Sequence, residues 1–148
     1  MQNLFTILKK EIFPISLILI LAFARLIPHP PNFTPIIAVA IMSGYFFKNI
    51  NLSFLVLIVA MLLSDLFIGF YENVFFVYAS LLLITFVFYK ISKKINFKNL
   101  FIYSFAGSLI FFIVSNFGVW VLGSPGVNNI AYAKDFNGLV ECYILAIP

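Results

Sequence analysis

Charged side chains are scarce in this sequence of 148 residues. Lysine and arginine together number 9, aspartate and glutamate together number 5, and the charged share is 9%, against about 25% in an average soluble domain. Hydrophobic residues make up 64% of the chain. So few charges cannot coat a water-soluble domain of this size. The composition therefore excludes a soluble enzyme, a disordered tail and a disulfide scaffold, and it predicts a membrane protein.

Metal ligands and catalytic motifs are also few. Cys142 is the only cysteine and His29 the only histidine, which excludes an internal disulfide and argues against a metal centre. The sequence has no Gly-rich phosphate loop, no H-x-x-x-H pair and no G-x-S-x-G turn. The net charge of +4 is not gathered into a basic stretch long enough to bind nucleic acid. We therefore expect no enzyme activity, no cofactor, no metal and no nucleic-acid partner.

Long apolar runs are what the chain does contain. Runs such as Leu52–Leu63 are apolar on every face, which favours spanning helices over the alternating strands of a membrane barrel. The predicted fold is all-α: one transmembrane domain over residues 1–148, a polytopic membrane helical bundle with five full spans plus a sixth that is partial or truncated at Pro148. The predicted spans are 12–27, 34–47, 52–70, 74–89, 100–122 and 138–148.

Prolines set the predicted boundaries near the start of the chain. Residues 1–11 are expected to form an interfacial helix ahead of the first span, with Pro14 in the first turn of that span. Three prolines within residues 28–31 end the first span. Thr34 is the expected N-cap of the second span, with Pro35 at its first helical position.

Lysine placement predicts the orientation in the bilayer. With a cytoplasmic N-terminus, the outer segments carry only Arg25 and Lys134 as basic residues, and all seven others fall on the inner side. The inner residues are Lys9, Lys10, Lys48, Lys90, Lys93, Lys94 and Lys98. A signal peptide cleaved after Ala22-Phe23-Ala24 is the weaker alternative, because the apolar run continues through Ile27; it leaves the orientation unchanged.

Polar residues collect toward the predicted outer ends of the spans. Asp65 and Glu72 share one helical face, and Asn116 and Trp120 share another. A charge in hydrocarbon costs at least about 2.5–3.5 kcal/mol, so it normally faces a partner or a water-filled cavity. We expect the two faces to meet around a pocket that is open to the outside.

Structural roles compete with this interpretation. Arg25 and Asp65 could form only an ion pair, and Trp120 could belong to an interfacial aromatic belt. The small-residue pair Ala40 and Gly44 is expected to pack against another helix, with docking of another membrane subunit as the alternative.

One proline-rich string is distinctive enough to support a family resemblance. Residues 25–35 read R-L-I-P-H-P-P-N-F-T-P; they are accompanied by Ser64-Asp65 with Gly69, by N-F-G-V-W at 116–120, and by Gly138-Leu139 with Cys142-Tyr143. Together they resemble an uncharacterised bacterial family of small inner-membrane proteins labelled as transport proteins. That family is similar in architecture to the substrate-capture (S) components of energy-coupling factor transporters, which import vitamins and trace nutrients.

The resemblance covers nearly the whole chain and carries several expectations. It implies the bacterial plasma (inner) membrane, a solute site near the outer face with residues 28–33 as its cap, and a transmembrane coupling subunit with ATPases as partners. It also implies that the last helix continues past Pro148. These points follow from fold analogy.

The expected function is a membrane-embedded substrate-binding subunit of a transporter for a small nutrient-like solute. Arg25 would hold an anionic group or pair with Asp65, Asn116 would hydrogen-bond, and Trp120 would stack. The alternative is a non-catalytic structural or scaffolding protein of the cell envelope; an intramembrane hydrolase using Asp65 and Glu141 is a distant third. The predicted binding residues are Arg25, His29, Asn32, Asp65, Asn116 and Trp120, with Glu72, Glu141 and Tyr143 as secondary candidates.

Overall fold

A computed structural model of the protein describes residues 4–27, 35–91, 96–123 and 131–147, with side chains from Glu11 onward. These ranges contain six α-helices and no β-strand, so the all-α prediction is confirmed for them. The helices are α1 (Leu4–Phe23), α2 (Ile36–Phe46), α3 (Ile50–Ile68), α4 (Val74–Ile91), α5 (Phe97–Leu122) and α6 (Phe136–Leu145).

Three of these helices are long and apolar enough to cross a membrane: α3, α4 and α5. The apolar helices α2 and α6 have 11 and 10 residues, and at about 1.5 Å per residue each covers roughly half of a hydrocarbon core. The five full spans predicted from the sequence are therefore not confirmed, because neither α1 nor α2, which correspond to the predicted spans 12–27 and 34–47, is among the described helices that meet this criterion.

The start of the chain differs from the prediction. Helix α1 runs without a break from Leu4 to Phe23, so a separate interfacial helix ending at Glu11 is wrong. Pro14 consequently lies inside the helix, where it supplies no backbone N–H, rather than in a first turn. A short 3-10 turn, Ala24–Leu26, follows α1. Pro35 directly precedes α2 instead of opening it, and Thr34 lies outside the described residues.

Short polar side chains and glycines set the other helix boundaries. Asn49 accepts backbone N–H bonds at the start of α3, Asn96 does so at the start of α5, and Asp135 at the start of α6. Gly69 ends α3 with a φ of 96°, and Gly123 ends α5 with a φ of 70°, conformations that favour glycine. Local chemistry thus explains why these helices begin and end where they do.

Helix α2 lies at the centre and packs against α1, α3, α4 and α5. It runs parallel to α4: the Thr85 hydroxyl donates to the Ala40 carbonyl at 3.0 Å, and a Cβ on Gly44 would run into the Thr85 carbonyl. The expectation that Ala40 and Gly44 form a packing face is confirmed, because these two small residues let α2 and α4 approach closely.

The contacts also show how the helices alternate in direction. Asp65 near the end of α3 meets Tyr78 near the start of α4, and Asn73 just before α4 meets Ser115 toward the end of α5. The end of α1, the end of α3, the start of α4 and the end of α5 therefore share one end of the bundle, which we call the polar end. Lys48 and Lys90 lie at the opposite end, where the Tyr89 hydroxyl donates to the Lys48 carbonyl.

Candidate functional site

A buried ion pair is the first polar feature of the polar end. Nη1 of Arg25 lies 2.8 Å from Oδ1 of Asp65, and the two side chains are 8% and 0% exposed. The same nitrogen donates to the Ser64 hydroxyl at 2.7 Å, and the Tyr78 hydroxyl donates to Oδ2 of Asp65 at 2.8 Å. Oδ2 thus accepts a hydrogen bond, whereas Oδ1 is held by the ion pair and accepts no hydrogen bond from the described residues. The structure therefore contains the Arg25–Asp65 ion pair that the sequence allowed as an alternative to a binding role.

Tyr71, in the turn between α3 and α4, borders this ion pair. Burial is the main cause that raises the pKa of its phenol; the Asp65 charge acts in the same direction, and Arg25 acts against it through its charge and a hydrogen bond. The phenol therefore stays protonated at neutral pH, and the pair gains no additional negative charge from it.

A separate cavity of about 880 Å³ lies between α2, α4, α5 and α6. We call it the α5–α6 cavity. Its described lining is mostly apolar and includes the first residues of α2 and the last residues of α6. Four polar residues are among its described lining: Asn73, Ser108, Ser115 and Asn116.

Most of the hydrogen-bond donors around this cavity are already used. The Asn73 amide nitrogen donates to the Ser115 carbonyl at 2.9 Å, and the Asn116 amide nitrogen donates to the Phe112 carbonyl at 2.8 Å. The single hydroxyl proton of Ser115 goes to the Phe111 carbonyl at 2.7 Å. Oδ1 of Asn73 is buried, and no donor among the described residues reaches it.

The two predicted faces do not meet around one pocket. Helix α3 packs against α1, α2 and α4, whereas α5 packs against α2, α4 and α6. Asp65 is consequently closed off with Arg25, while Asn116 lines the α5–α6 cavity. Within the part of the chain that the structure describes, the two polar faces therefore find different neighbours and do not line the common pocket expected from the sequence.

The aromatic candidates Trp120 on α5 and Tyr143 on α6 each donate a hydrogen bond to a neighbouring segment of the chain. The Trp120 indole N–H donates to the Ala133 carbonyl at 2.8 Å, and the Lys134 ammonium lies 5.6 Å from the centre of the Trp120 ring. The Tyr143 hydroxyl donates to the Ile113 carbonyl at 2.6 Å, which fastens α6 along α5.

The remaining candidates lie elsewhere. Glu72 is exposed in the turn between α3 and α4, and Glu141 is exposed on α6. His29 and Asn32 lie outside the described residues, so their predicted roles in the cap stay predictions.

Sequence reasoning missed three of the four polar residues of the cavity. Ser108 and Ser115 are seven residues apart, two turns of one helix, and Asn116 follows directly; this spacing alone could have indicated a shared face. Asn73 gave no such signal, because an asparagine between helices normally indicates a turn.

Three apolar helices of spanning length and a partly polar cavity between helices define the class: an α-helical protein suited to a bilayer. Within that class, the chain belongs to a family of unknown function, DUF6580, whose model matches residues 5–148. No curated protein and no solved structure is similar enough to give a named relative.

Proposed function

We propose that this protein is the membrane-embedded substrate-binding subunit of a transporter and that it captures a small nutrient-like solute in the α5–α6 cavity. The observation that carries the proposal is the cavity of about 880 Å³, whose described lining is mostly apolar and includes a few polar residues.

The character of the cavity supports this role. Ligand sites are concave and typically enclose about 300–1,000 Å³, with mostly apolar walls and a few polar groups that orient the ligand. The α5–α6 cavity has this size, and its polar side chains gather on α5 and next to the start of α4. Asn116 keeps its proposed role as a hydrogen-bonding residue, joined by Asn73 and Ser115.

The proposal also includes a location: the protein would lie in a bacterial plasma membrane with its N-terminus in the cytoplasm. The seven lysines of the inner segments support this orientation, and it turns the polar end outward. Uptake against a gradient would need a coupling subunit and ATPases, because the sequence carries no phosphate-binding loop of its own. The largely exposed apolar surface of α5 would face lipid or such a subunit.

Filling the cavity tests the proposal. Ser104 and Ser108 are both exposed on α5, one helical turn apart, but only Ser108 is among the described residues that line the cavity. Because helical side chains lean toward the N-terminus, a tryptophan at position 104 would project away from the cavity, so Ser104→Trp is the matched control.

The measurement is native mass spectrometry of the purified protein, together with solute uptake by membranes that contain it. We expect wild type and Ser104→Trp to retain a co-purified small molecule and Ser108→Trp to lose it. A small molecule that still co-purifies with Ser108→Trp would reject the proposal. The proposal would also be rejected if correctly folded wild type held no small molecule and its membranes took up no solute.

A scaffolding role in the cell envelope is the second candidate. The closed contacts of Arg25, Asp65 and Tyr78 favour it, because a network with all its charges paired internally needs no ligand. In that case Ser108→Trp would leave function unchanged, and substitutions at the ion pair would act only through folded yield.

A further inference from the structure

We infer that the α5–α6 cavity opens sideways into the hydrocarbon core of the membrane and takes its solute from there: a lipophilic molecule with an uncharged polar group. This inference rests on the proposed function and names the class of solute. It departs from the sequence-based expectation of a pocket that is open to the outside.

The cavity runs along α5 from the polar end to the middle of the helix. Val119 lines it near the end of α5, and Leu109 lines it at the middle of α5. Helix α6 starts beside the end of α5, and the Tyr143 hydroxyl donates to the Ile113 carbonyl. Leu145, at the end of α6, therefore lies beside the middle of α5 and lines the same part of the cavity.

The exposed part of the described lining is confined to this region. Phe105 and Leu109 on α5 are 66% and 48% exposed, Leu145 and Ile147 are 41% and 64% exposed, and Ser108 is exposed as well. The other described lining residues are buried or half-buried. Among the described residues, the mouth of the cavity therefore lies between the middle of α5 and the end of α6, away from the polar end.

The length of α5 sets the depth of this mouth. With 26 residues at about 1.5 Å each, α5 is about 39 Å long, against about 30 Å for the hydrocarbon core of a bilayer. In a spanning α5, the two ends reach the interfaces and Leu109 lies among lipid tails. A molecule dissolved in the bilayer meets this mouth directly, whereas a water-soluble solute would first have to leave water.

The lining fits a lipophilic molecule without a charge. Most of it is apolar and none of the described lining residues is charged, so an ion would lose its hydration without gaining a counter-charge. Asn116 is half-buried and lines the cavity toward the polar end. Its amide nitrogen donates to the Phe112 carbonyl, while its amide oxygen accepts from none of the described residues and is not among their fully buried, unpaired atoms. A hydroxyl or N–H group of the solute would therefore lie at Asn116, with the apolar part toward Leu109.

Photo-crosslinking in nanodiscs tests both the opening and the class of solute. p-Benzoylphenylalanine, which bonds to nearby C–H groups on illumination, replaces one phenylalanine at a time. Phe111 is half-buried and lines the cavity, Phe101 is 72% exposed on α5, and Phe88 is 2% exposed in the core. Phe112 supplies a second position in the cavity lining. The lipid contains equal amounts of hexadecan-1-ol, its methyl ether and hexadecyl sulfate, whose adducts differ in mass.

The exposed and the core position supply the references. We expect the photoreactive group at Phe101 to bond to lipid and to all three additives, and the group at Phe88 to give only crosslinks within the chain. Relative to the yields at Phe101, the group at Phe111 or Phe112 should favour the alcohol over the ether and over the sulfate, each by at least about threefold.

The results that would overturn the inference differ for its two parts. Absence of any lipophilic adduct at both cavity positions, with adducts at Phe101, would overturn the opening to the bilayer. Equal relative yields of the three additives at the cavity positions would overturn the class of solute. The proposed function is decided separately, by the small molecule that co-purifies with wild type.

A variant at Asn116 locates the polar group of the solute. In protein that carries the photoreactive group at Phe111, Asn116→Leu should lose the preference for the alcohol over the ether. Asn51→Leu, at an exposed position on α3, should keep it. A preference that survives in folded Asn116→Leu would overturn the assignment to Asn116.

Cell extracts identify the source of the natural solute. The protein with the photoreactive group at Phe111 is offered organic-phase and aqueous-phase extracts separately, and the adducts are read by mass spectrometry. An adduct of an uncharged lipophilic molecule from the organic phase supports the inference. An adduct formed only with a water-soluble molecule would overturn it and leave the proposed function in place.

Discussion

Arg25 and Asp65 meet inside the protein, with Nη1 of Arg25 2.8 Å from Oδ1 of Asp65. Their contact joins the 3-10 turn that follows α1 to the last turns of α3, and the Tyr78 hydroxyl extends it to α4. Neither charge is available to a solute unless the pair opens. The pair therefore acts as a connection between three helices, and its energetic effect is measured by breaking it.

Removal of one charge should destabilise the protein strongly. Asp65→Ala leaves the Arg25 guanidinium buried without its counter-charge, and loss of one partner of a buried pair typically costs about 3–5 kcal/mol. We expect a lower folded yield and a lower midpoint of thermal unfolding, both measured by fluorescence-detected size exclusion in detergent.

The exposed carboxylate of Glu72 supplies the control for this experiment. Glu72→Ala should change neither yield nor midpoint, and the double variant Arg25→Met with Asp65→Leu should regain most of the loss because no buried charge remains. If Asp65→Ala folded normally but lost solute binding, Asp65 would instead be assigned to the binding site.

Tyr78→Phe tests the second contact of Asp65. The substitution removes the hydroxyl that donates to Oδ2 at 2.8 Å and leaves a buried carboxylate oxygen unpaired, which should cost about 1–3 kcal/mol. Tyr89→Phe also removes one hydroxyl from α4, but that hydroxyl donates to the Lys48 carbonyl at an exposed site. Thermal unfolding should therefore distinguish the two variants, and equal effects would contradict a special role for Tyr78.

The sequence was sufficient for the apolar segments because their signal is local. The starts and ends of α3, α4 and α5 lie within three residues of the predicted spans 52–70, 74–89 and 100–122. Length and apolar content decide such helices without reference to the rest of the chain. Breaks were harder: α1 ends at Phe23, four residues before the predicted end of the first span at residue 27, and Pro14 gave no sign that α1 continues through it.

Helix pairing was the part that could not be read from the sequence. Asp65 and Asn116 each lie on a polar face, and periodicity shows only that such a face needs a partner, not which helix supplies it. Packing of α2 against α4 through Ala40 and Gly44 brings α4 between the two faces and separates them. The cavity depends on this arrangement, which is why Asn73 was missed.

Gly44 should be the most sensitive small residue of the α2–α4 contact. A side chain there would run into the Thr85 carbonyl, which is backbone and cannot move aside without separating the helices. Gly44→Leu should therefore destabilise the protein by at least about 2 kcal/mol. Ala38→Leu on the exposed face of α2 adds similar bulk and should be tolerated; the two variants are compared by thermal unfolding, and a tolerated Gly44→Leu would refute the close contact.

Alkaline pH should weaken the polar end through Tyr71. Its pKa lies above the ordinary value of about 10, because burial and the nearby Asp65 charge disfavour the phenolate. As the pH rises past about 10, the unfolded chain loses this proton before the folded protein does, so the contribution of Tyr71 to stability is present below that pH and declines above it. Tyr71→Phe should therefore lose less thermal stability than wild type between about pH 9 and 11.

The comparison between variants isolates this group, since wild type and Tyr71→Phe differ only at position 71. Tyr132→Phe removes a phenol from the connection before α6 and serves as the matched control for the loss of one tyrosine. If Tyr71→Phe lost stability with pH as steeply as wild type, burial in the folded protein would not be raising the pKa of the Tyr71 phenol, and the prediction would be wrong.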